Sequence, residues 1–410
     1  MKFYADLHIH SKYSRATSKN MDLQGISEMA KLKGIQLMGT GDFTHPIWLC
    51  ELTENLESLE NGIFEYNGTN FILTCEVCNI YVKNGKYRKN HNIIISPSIE
   101  LVEKISDYLS RYGKLESNGR PILSLDAGIM FQKIKEIDER IFLIPAHIWT
   151  PWFSLFGSKS GFDSIEDCFG SLSDDILALE TGLSSDPEMN WTCSKLDIFT
   201  LVSNSDAHSP VNIGREANCF NCEMDYDTIM QVIKQGDSSN FPYTIEFFPE
   251  EGKYHYDGHR ACNVSLHPEQ TIKNGINCPK CGRKLTLGVL HRIMQLSDRK
   301  LGYKPKGKKP FKKLVPLMEI IAETVKQGKG TKLVENKYRN LVSRLGPELH
   351  ILIDCDYEDI KKITDEPIAL AIQKMRNGEV NVKPGYDGVY GEVTIMDETE
   401  EEEQQLELFQ

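Results

Sequence analysis

Two imidazoles stand two residues apart near the start of the chain, in Asp6-Leu7-His8-Ile9-His10. Residues two apart on a strand share a face, so His8 and His10 can reach one ion or two adjacent ions. Asp42, His45, Glu76, His91, His147, Asp206 and His208 extend the set of candidate ligands. A carboxylate such as Glu76 can bridge two ions. Two or three divalent ions (zinc, manganese or magnesium) would activate water and stabilise the charge that develops when a phosphate ester is cleaved. Asp206, His208, Glu76 and His10 are the expected catalytic set. Taken singly, His91 could be only a polar residue opening a strand, and His45 only a loop residue before Pro46.

A second constellation has a different chemistry. His259 and Cys262 form one close pair, Cys278 and Cys281 another, with 15 residues between the pairs. That spacing suits one structural, tetrahedral zinc. His255, His267 or His291 could replace His259 as the fourth ligand. The pairs Cys75/Cys78 and Cys219/Cys222 lie in strand-like runs, where residues three apart face opposite sides, and read as buried thiols.

The elements that must position these groups follow from hydrophobic patterning. Apolar strand-like runs at 3–9, 37–41, 71–76, 141–145, 177–180 and 201–203 alternate with helix-like segments such as 23–33 and 99–112. Alternation of this kind predicts βα units and a mainly parallel α/β sheet, open or closed as a barrel. Most of the candidate ligands fall at or just after the C-terminal end of a strand, where such folds carry their active sites. The pattern divides the chain into a metal-dependent phosphoesterase domain (1–248), a zinc-binding module (249–297), a basic, mainly helical DNA-binding domain (298–396) and an acidic tail (397–410).

The motifs Asp6-Leu7-His8-Ile9-His10-Ser11, Gly39-Thr40-Gly41-Asp42, Glu76, His91, His147 and Ser205-Asp206-Ala207-His208 resemble the ordered motifs of the PHP superfamily. The resemblance implies a distorted (β/α)7 barrel with up to three ions. One departure is Gly41-Asp42-Phe43, since Phe43 cannot ligate, which leaves Asp42 or His45 for a third metal position. The opening run to Ser14, the aromatic run from His147 to Phe162, Tyr254-His255-Tyr256-Asp257-Gly258-His259-Arg260 and Pro384-Gly385-Tyr386-Asp387-Gly388 resemble the endonuclease Q family more narrowly. That family implies hydrolysis of the phosphodiester 5′ to hypoxanthine, uracil, xanthine or an abasic site.

Trp149, Trp152 and Phe153 follow the ligand candidate His147, and aromatics can stack on a base extruded from a duplex. The competing reading is that they pack a cap over the barrel. Ser158 and Lys159 lie in a small, polar stretch that could offer backbone N–H groups to phosphate. The net charge is −12, yet residues 283–345 carry 17 Lys/Arg against 4 Asp/Glu, which favours contacts to DNA. Lys329 and Thr331 sit at a helix start where a phosphate could rest. Six acids among residues 397–403 predict an unstructured tail. After them, Gln405, Leu406, Leu408 and Phe409 resemble the pentapeptide that binds the bacterial sliding clamp.

No apolar run reaches the roughly 20 residues of a membrane span, and a cytoplasmic protein is expected. Two rivals stand beside the DNA endonuclease reading. A PHP-type phosphatase acting on a small phosphomonoester would have no use for the zinc module or the basic region. A non-catalytic DNA-binding adaptor tethered to the clamp would not need so full a ligand set.

Overall fold

The computed structural model describes residues 1–396. The tail and its clamp-like residues Gln405, Leu406, Leu408 and Phe409 therefore lie outside the described residues. The first element is β1 (Lys2–Asp6), followed by helix α1 (Leu23–Lys33) and β2 (Leu37–Gly39). α1 starts where the Asp22 side chain accepts the Gly25 N–H, and stops at Gly34, whose φ of 84° favours glycine. The strands β3 (Thr69–Lys83), β4 (Lys86–Ser96), β5 (Phe142–Pro145), β6 (Ala178–Glu180), β7 (Thr200–Val202), β8 (Ala217–Asn221), β9 (Tyr243–Glu246) and β10 (Phe311–Lys313) follow.

The sheet is more mixed than the βα pattern predicts. β1, β2 and β3 run parallel, but β3 and β4 form a long antiparallel hairpin, and β4 pairs antiparallel with β5. The hairpin turns on Asn84 and Gly85, both at positive φ (53° and 70°), the conformation of the tightest hairpin turns. β8 joins β1 and β9 antiparallel, and β10 adds to β9 in parallel. Residues that composition groups with the helical region thus contribute a strand to the main sheet. β6 and β7 make a separate parallel pair. Alternate residues of eight strands meet in one apolar cluster, among them Ala5, Leu37, Ile72, Ile93, Ile144, Ala178, Val202 and Phe220. Strand ends, together with the middle of β3 and β4, carry the polar site.

From Leu317 to Asn377 the chain is helical, with Leu317–Thr324, Lys332–Leu345, Glu348–Ile353 and Glu366–Asn377 packing on Ile320, Ile321, Tyr338, Leu352 and Ile372, and the strands Asn381–Lys383 and Glu392–Thr394 pair antiparallel after it. A buried ion pair, Lys33 Nζ to Glu348 Oε2 at 2.8 Å, ties this bundle to α1. Near the end of the described chain, Pro384–Gly391 folds back onto the Cys/His module. There Tyr256 N–H donates to Gly385 O (2.9 Å) and Arg260 N–H to Asp387 Oδ2 (2.6 Å). Among the described residues no helix is long and apolar enough to cross a membrane.

Candidate metal centre

The segment after β1 is extended enough to bring His8 and His10 to one place, and the chain is pinned there by His10 N–H to Ala207 O (3.0 Å). Glu76 rises from β3 and His91 from β4, both from mid-strand and not from a strand end. His147 follows β5, and Asp206 follows β7. His147, Asp206 and Asp42 all hold positive φ (29°, 48° and 50°), a backbone form that is costly for residues with a side chain. The chain is also crowded here: a Cβ on Gly182 would fall 2.4 Å from His147 Cβ, so only glycine lets the two turns touch.

Two groups of ligand atoms result, each within 4.8 Å: His8, His10, Glu76 and Asp206, and then Glu76, His91 and His147. Glu76 belongs to both. Its Oε1 is 2.7 Å from His91 Nδ1 and 2.9 Å from His147 Nε2. Its Oε2 is 3.2 Å from His10 Nε2, which also lies 3.0 Å from Asp206 Oδ1. Yet His8 Nε2, His10 Nε2 and Asp206 Oδ1 are buried without a hydrogen bond of good geometry. Buried polar atoms left in that state are costly, and here they aim at common points from several sides. The donor set and its orphaned atoms fit divalent metal ions.

The groups behind the ligands were not all found from sequence. Glu180, at the end of β6, accepts from His8 Nδ1 (3.1 Å), His147 N–H (2.8 Å) and Asn204 Nδ2 (2.9 Å). Holding His8 by Nδ1 turns Nε2 toward Glu76 and Asp206. Glu180 closes a predicted strand, so the strand-end rule that selected the others also selects it. Arg120 was missed because it sits in a loop: its Nη1 donates to Glu76 Oε2 at 2.9 Å.

Asp42 lies outside both ligand groups. Its Oδ1 accepts from His10 Nδ1 (2.9 Å), and its Oδ2 from Ser11 N–H (2.6 Å), Ser11 Oγ (2.7 Å) and Ser14 Oγ (2.9 Å). With its lone pairs so used, it orients His10. His45 also departs from the ligand expectation. It caps the helix Pro46–Asn55 and stacks on Tyr13, with ring centroids 4.5 Å apart. His208 stands beside His10 (4.4 Å between centroids), its Nδ1 2.8 Å from Asp206 O, adjacent to but outside the ligand groups.

Charge in this site is strongly interlocked. Burial alone would push His8 and His10 toward the neutral form. Glu180 and Glu76 beside His8, and Asp42 and Asp206 beside His10, outweigh it and raise both well above the ordinary imidazole value. Burial dominates at His91 and takes it down to about 4. Burial opposes ionisation of Glu76 as well, but His91, Arg120 and His8 hold it well below the usual carboxylate range.

The aromatic run divides by burial. Trp149 is 1 % exposed and donates Nε1–H to Asn190 Oδ1 (2.7 Å), so it packs the core and is not offered to a base. Trp152 is 40 % exposed and meets Tyr254 edge to face at 5.4 Å. Phe153, at φ 61°, lies 5.1 Å from the His91 ring. These residues line a cavity of about 360 Å³ with Pro151, Lys253 and His255, between the sheet domain and the Cys/His module. Ser158 and Lys159 are exposed at the neighbouring turn.

His259, Cys262, Cys278 and Cys281 also lie within 4.8 Å of one another. Two of the rival fourth ligands are engaged elsewhere: His267 caps the helix Pro268–Asn274, and His291 Nδ1 is 2.7 Å from Asp257 Oδ2; the third, His255, lies outside the group and lines the cavity described above. Burial would raise the Cys278 thiol, but the Lys280 and Cys281 N–H groups and His259 bring it down to about 6. In the helical region Thr331 begins the helix Lys332–Leu345, while the exposed Lys329 is paired with Glu319 at 2.6 Å.

Comparison with known proteins places this arrangement among relatives. Residues 316–379 match the family described as MJ0043 C-terminal domain. The structure of the lesion-specific endonuclease PfuEndoQ from Pyrococcus furiosus aligns with a TM-score of 0.87 and 36 % identity, covering 97 % of this chain and 96 % of that one. A structure of endonuclease Q complexed with a 27-mer duplex bearing an abasic lesion at its active site aligns with a TM-score of 0.86 and 36 % identity, over 97 % of this chain and 98 % of that one. Protein YqxK of Bacillus subtilis is 29 % identical over 96 % of this chain and 99 % of its own length. Protein MJ0043 of Methanocaldococcus jannaschii is 35 % identical over 254 residues, so the match spans 31 % of that longer protein.

Proposed function

This chain belongs to the endonuclease Q family, and from that premise we propose that it is a metal-dependent endonuclease that hydrolyses DNA 5′ to deaminated bases (hypoxanthine, uracil, xanthine) or abasic sites. The observation that carries the reading is the sharing of Glu76 by two ligand groups, one with His8, His10 and Asp206, the other with His91 and His147. Bound divalent ions would supply water activation and neutralise charge on the phosphate. Glu180 and Asp42 fix the rings of His8 and His10, and Asp206 closes the first group from the exposed side. Apolar residues drawn from every strand from β1 to β8 into one cluster support the PHP-type barrel as the frame.

The cavity beside His91 suits the lesion. Trp152, Phe153 and Tyr254 give aromatic faces at its mouth, and a base turned out of the stack gains from such faces about 1–3 kcal/mol. The set His259, Cys262, Cys278 and Cys281 fits one structural zinc. The exposed Lys159, Lys253, Lys306 and Lys312 offer charge to the duplex backbone. The tether to a bacterial sliding clamp through Gln405, Leu406, Leu408 and Phe409 rests on the sequence alone.

The test is a denaturing-gel assay on matched duplexes carrying deoxyinosine, deoxyuridine, an abasic site or no lesion, with Mn²⁺ or Mg²⁺. A nick immediately 5′ to the lesion, absent from the control strand, is expected. Intact DNA in every lane, with turnover of a small phosphomonoester instead, would contradict the proposal.

A further inference from the structure

Arg120 is a permanent cation at the mouth of the metal centre, and neither ligand group uses it. Its place is built with some care. Asn118 Oδ1 accepts the N–H of Arg15 (3.1 Å) and of Arg120 itself (3.3 Å), and Gly119 N–H donates to Tyr13 O (3.1 Å). A Cβ on Gly119 would fall 2.2 Å from Asp42 Oδ2 and 2.5 Å from Ser14 Oγ. The loop therefore rests directly on the carboxylate that orients His10, and only glycine permits that approach. Cys78 N–H to Pro121 O (2.9 Å) ties the other side of the loop to β3. The Arg120 side chain is thus held by the same framework that holds the metal ligands.

Its contacts leave work for it to do. Nη1 meets Glu76 Oε2 at 2.9 Å, and Glu76 is wholly buried, whereas the Arg120 side chain keeps 27 % exposure. A guanidinium carries five N–H donors in a planar fork. Arg120 shares Glu76 with His8, His10, His91 and His147, all within 3.7 Å, and gives it a single Nη1–H, so the rest of the fork is not taken up by that carboxylate. A planar, partly exposed fork beside Glu76 is suited to an oxyanion arriving from solvent, because arginine binds phosphate oxygens two at a time.

We propose that Arg120 grips the non-bridging oxygens of the phosphate being cut, adding a third positive group to those of the two ligand clusters. The inference rests on the endonuclease reading and names a substrate-contacting residue within it. Arg120 thereby sets where the phosphate lies relative to Glu76 and Asp206 before any bond is broken.

The test is equilibrium binding by the full-length protein in Ca²⁺, under conditions where a denaturing gel shows the probe uncut. The probes are duplexes with an abasic-site analogue whose 5′ phosphate is either natural or replaced by a neutral methylphosphonate. Neutralising that phosphate should weaken wild-type binding by about 10- to 100-fold, as expected for losing a charge-assisted, two-point contact. Arg120→Met should weaken binding to the natural probe by a similar factor and lose nothing more on the methylphosphonate. If Arg120→Met keeps wild-type affinity, or stays fully sensitive to the methylphosphonate, the proposal is overturned. Arg120→Lys, which keeps a charge beside Glu76, covers the case in which the methionine variant loses its ions. With ion content matched to wild type, it should bind more weakly and show reduced methylphosphonate sensitivity, and unchanged values of both would equally overturn the proposal. A wild-type protein with no preference for the lesion duplex would remove the endonuclease reading itself, and this inference with it.

Discussion

Around Glu76, the ligands are held by partners that are not ligands. Asp42 holds His10, Glu180 holds His8 and the His147 backbone, and Asn204 ties Glu180 to the Leu7 N–H (2.9 Å) at the end of β1. Behind these lies the large apolar interior of the sheet. Around Cys278 there is far less. A Cys278 N–H to Arg283 O bond (2.7 Å) and a Gly282 N–H to Cys278 O bond (2.8 Å) shape one knuckle, and the local apolar cluster is Val264, Cys278 and Leu285. On the proposed reading, the first centre is prepared before an ion arrives, whereas the second would need its ion to hold two loops together. Preparation is what a reacting site requires, since ligands that wait in position can leave coordination free for water and phosphate.

Four results would break or sharpen that contrast. The largest effect is expected from Asp206→Asn: cleavage of a lesion duplex should fall by about 1,000-fold or more, because an ion that contributes several kcal/mol to the transition state loses a ligand. Thermal unfolding should hardly move, and an unfolded or fully active variant would contradict the assignment. Cys278→Ser should show the reverse pattern. One equivalent of zinc is lost, hydrogen exchange accelerates over residues 257–285, and the sheet domain keeps its protection. Retained zinc with full protection there would break the contrast.

Glu180→Gln comes next. The ligands remain but their support weakens, and metal affinity of the first centre should drop by about 10- to 100-fold, read by competition with a chromogenic chelator. An unchanged affinity would show that the sheet alone positions His8. The smallest effect is on pH. His8 and His10 have raised pKa values, so each retains a proton to higher pH than an ordinary imidazole. That proton must leave for an ion to bind, so metal uptake by the first centre should strengthen as pH rises and weaken as it falls. An uptake curve that stays flat from pH 6 to pH 9 would contradict the raised values.

Much of the first centre was legible because its chemistry is written in residue types at strand ends: His8, His10, His147 and Asp206 need only a strand assignment to be brought together. Glu76 and His91 were found by type, although they project from mid-strand. The long hairpin carrying them was not read, despite the Asn84-Gly85 turn signal, because the run before it appeared to end at Glu76. Asp42 and His45 show the converse limit. Their types fit a metal, but hydrogen bonds to Ser11 and Ser14, and a helix cap, decide what each does, and those contacts arise only in the folded chain. Trp149 and Trp152 are identical by type and three residues apart, yet one is core and the other lines a cavity. Burial separates them, and local sequence carries no signal for it. Arg120 belongs to the same class, since only the packing of Gly119 on Asp42 delivers it.

The most direct test of the central claim is to follow nicking of an abasic duplex and metal content in the same samples as ions are withdrawn by graded chelation. Cleavage should vanish as the ions of the Glu76 centre leave, while about one equivalent of zinc stays with the protein, and it should return when Mn²⁺ is restored. Undiminished cleavage by protein retaining only that single zinc would contradict the account, because the cutting would then not depend on the centre that the fold has prepared.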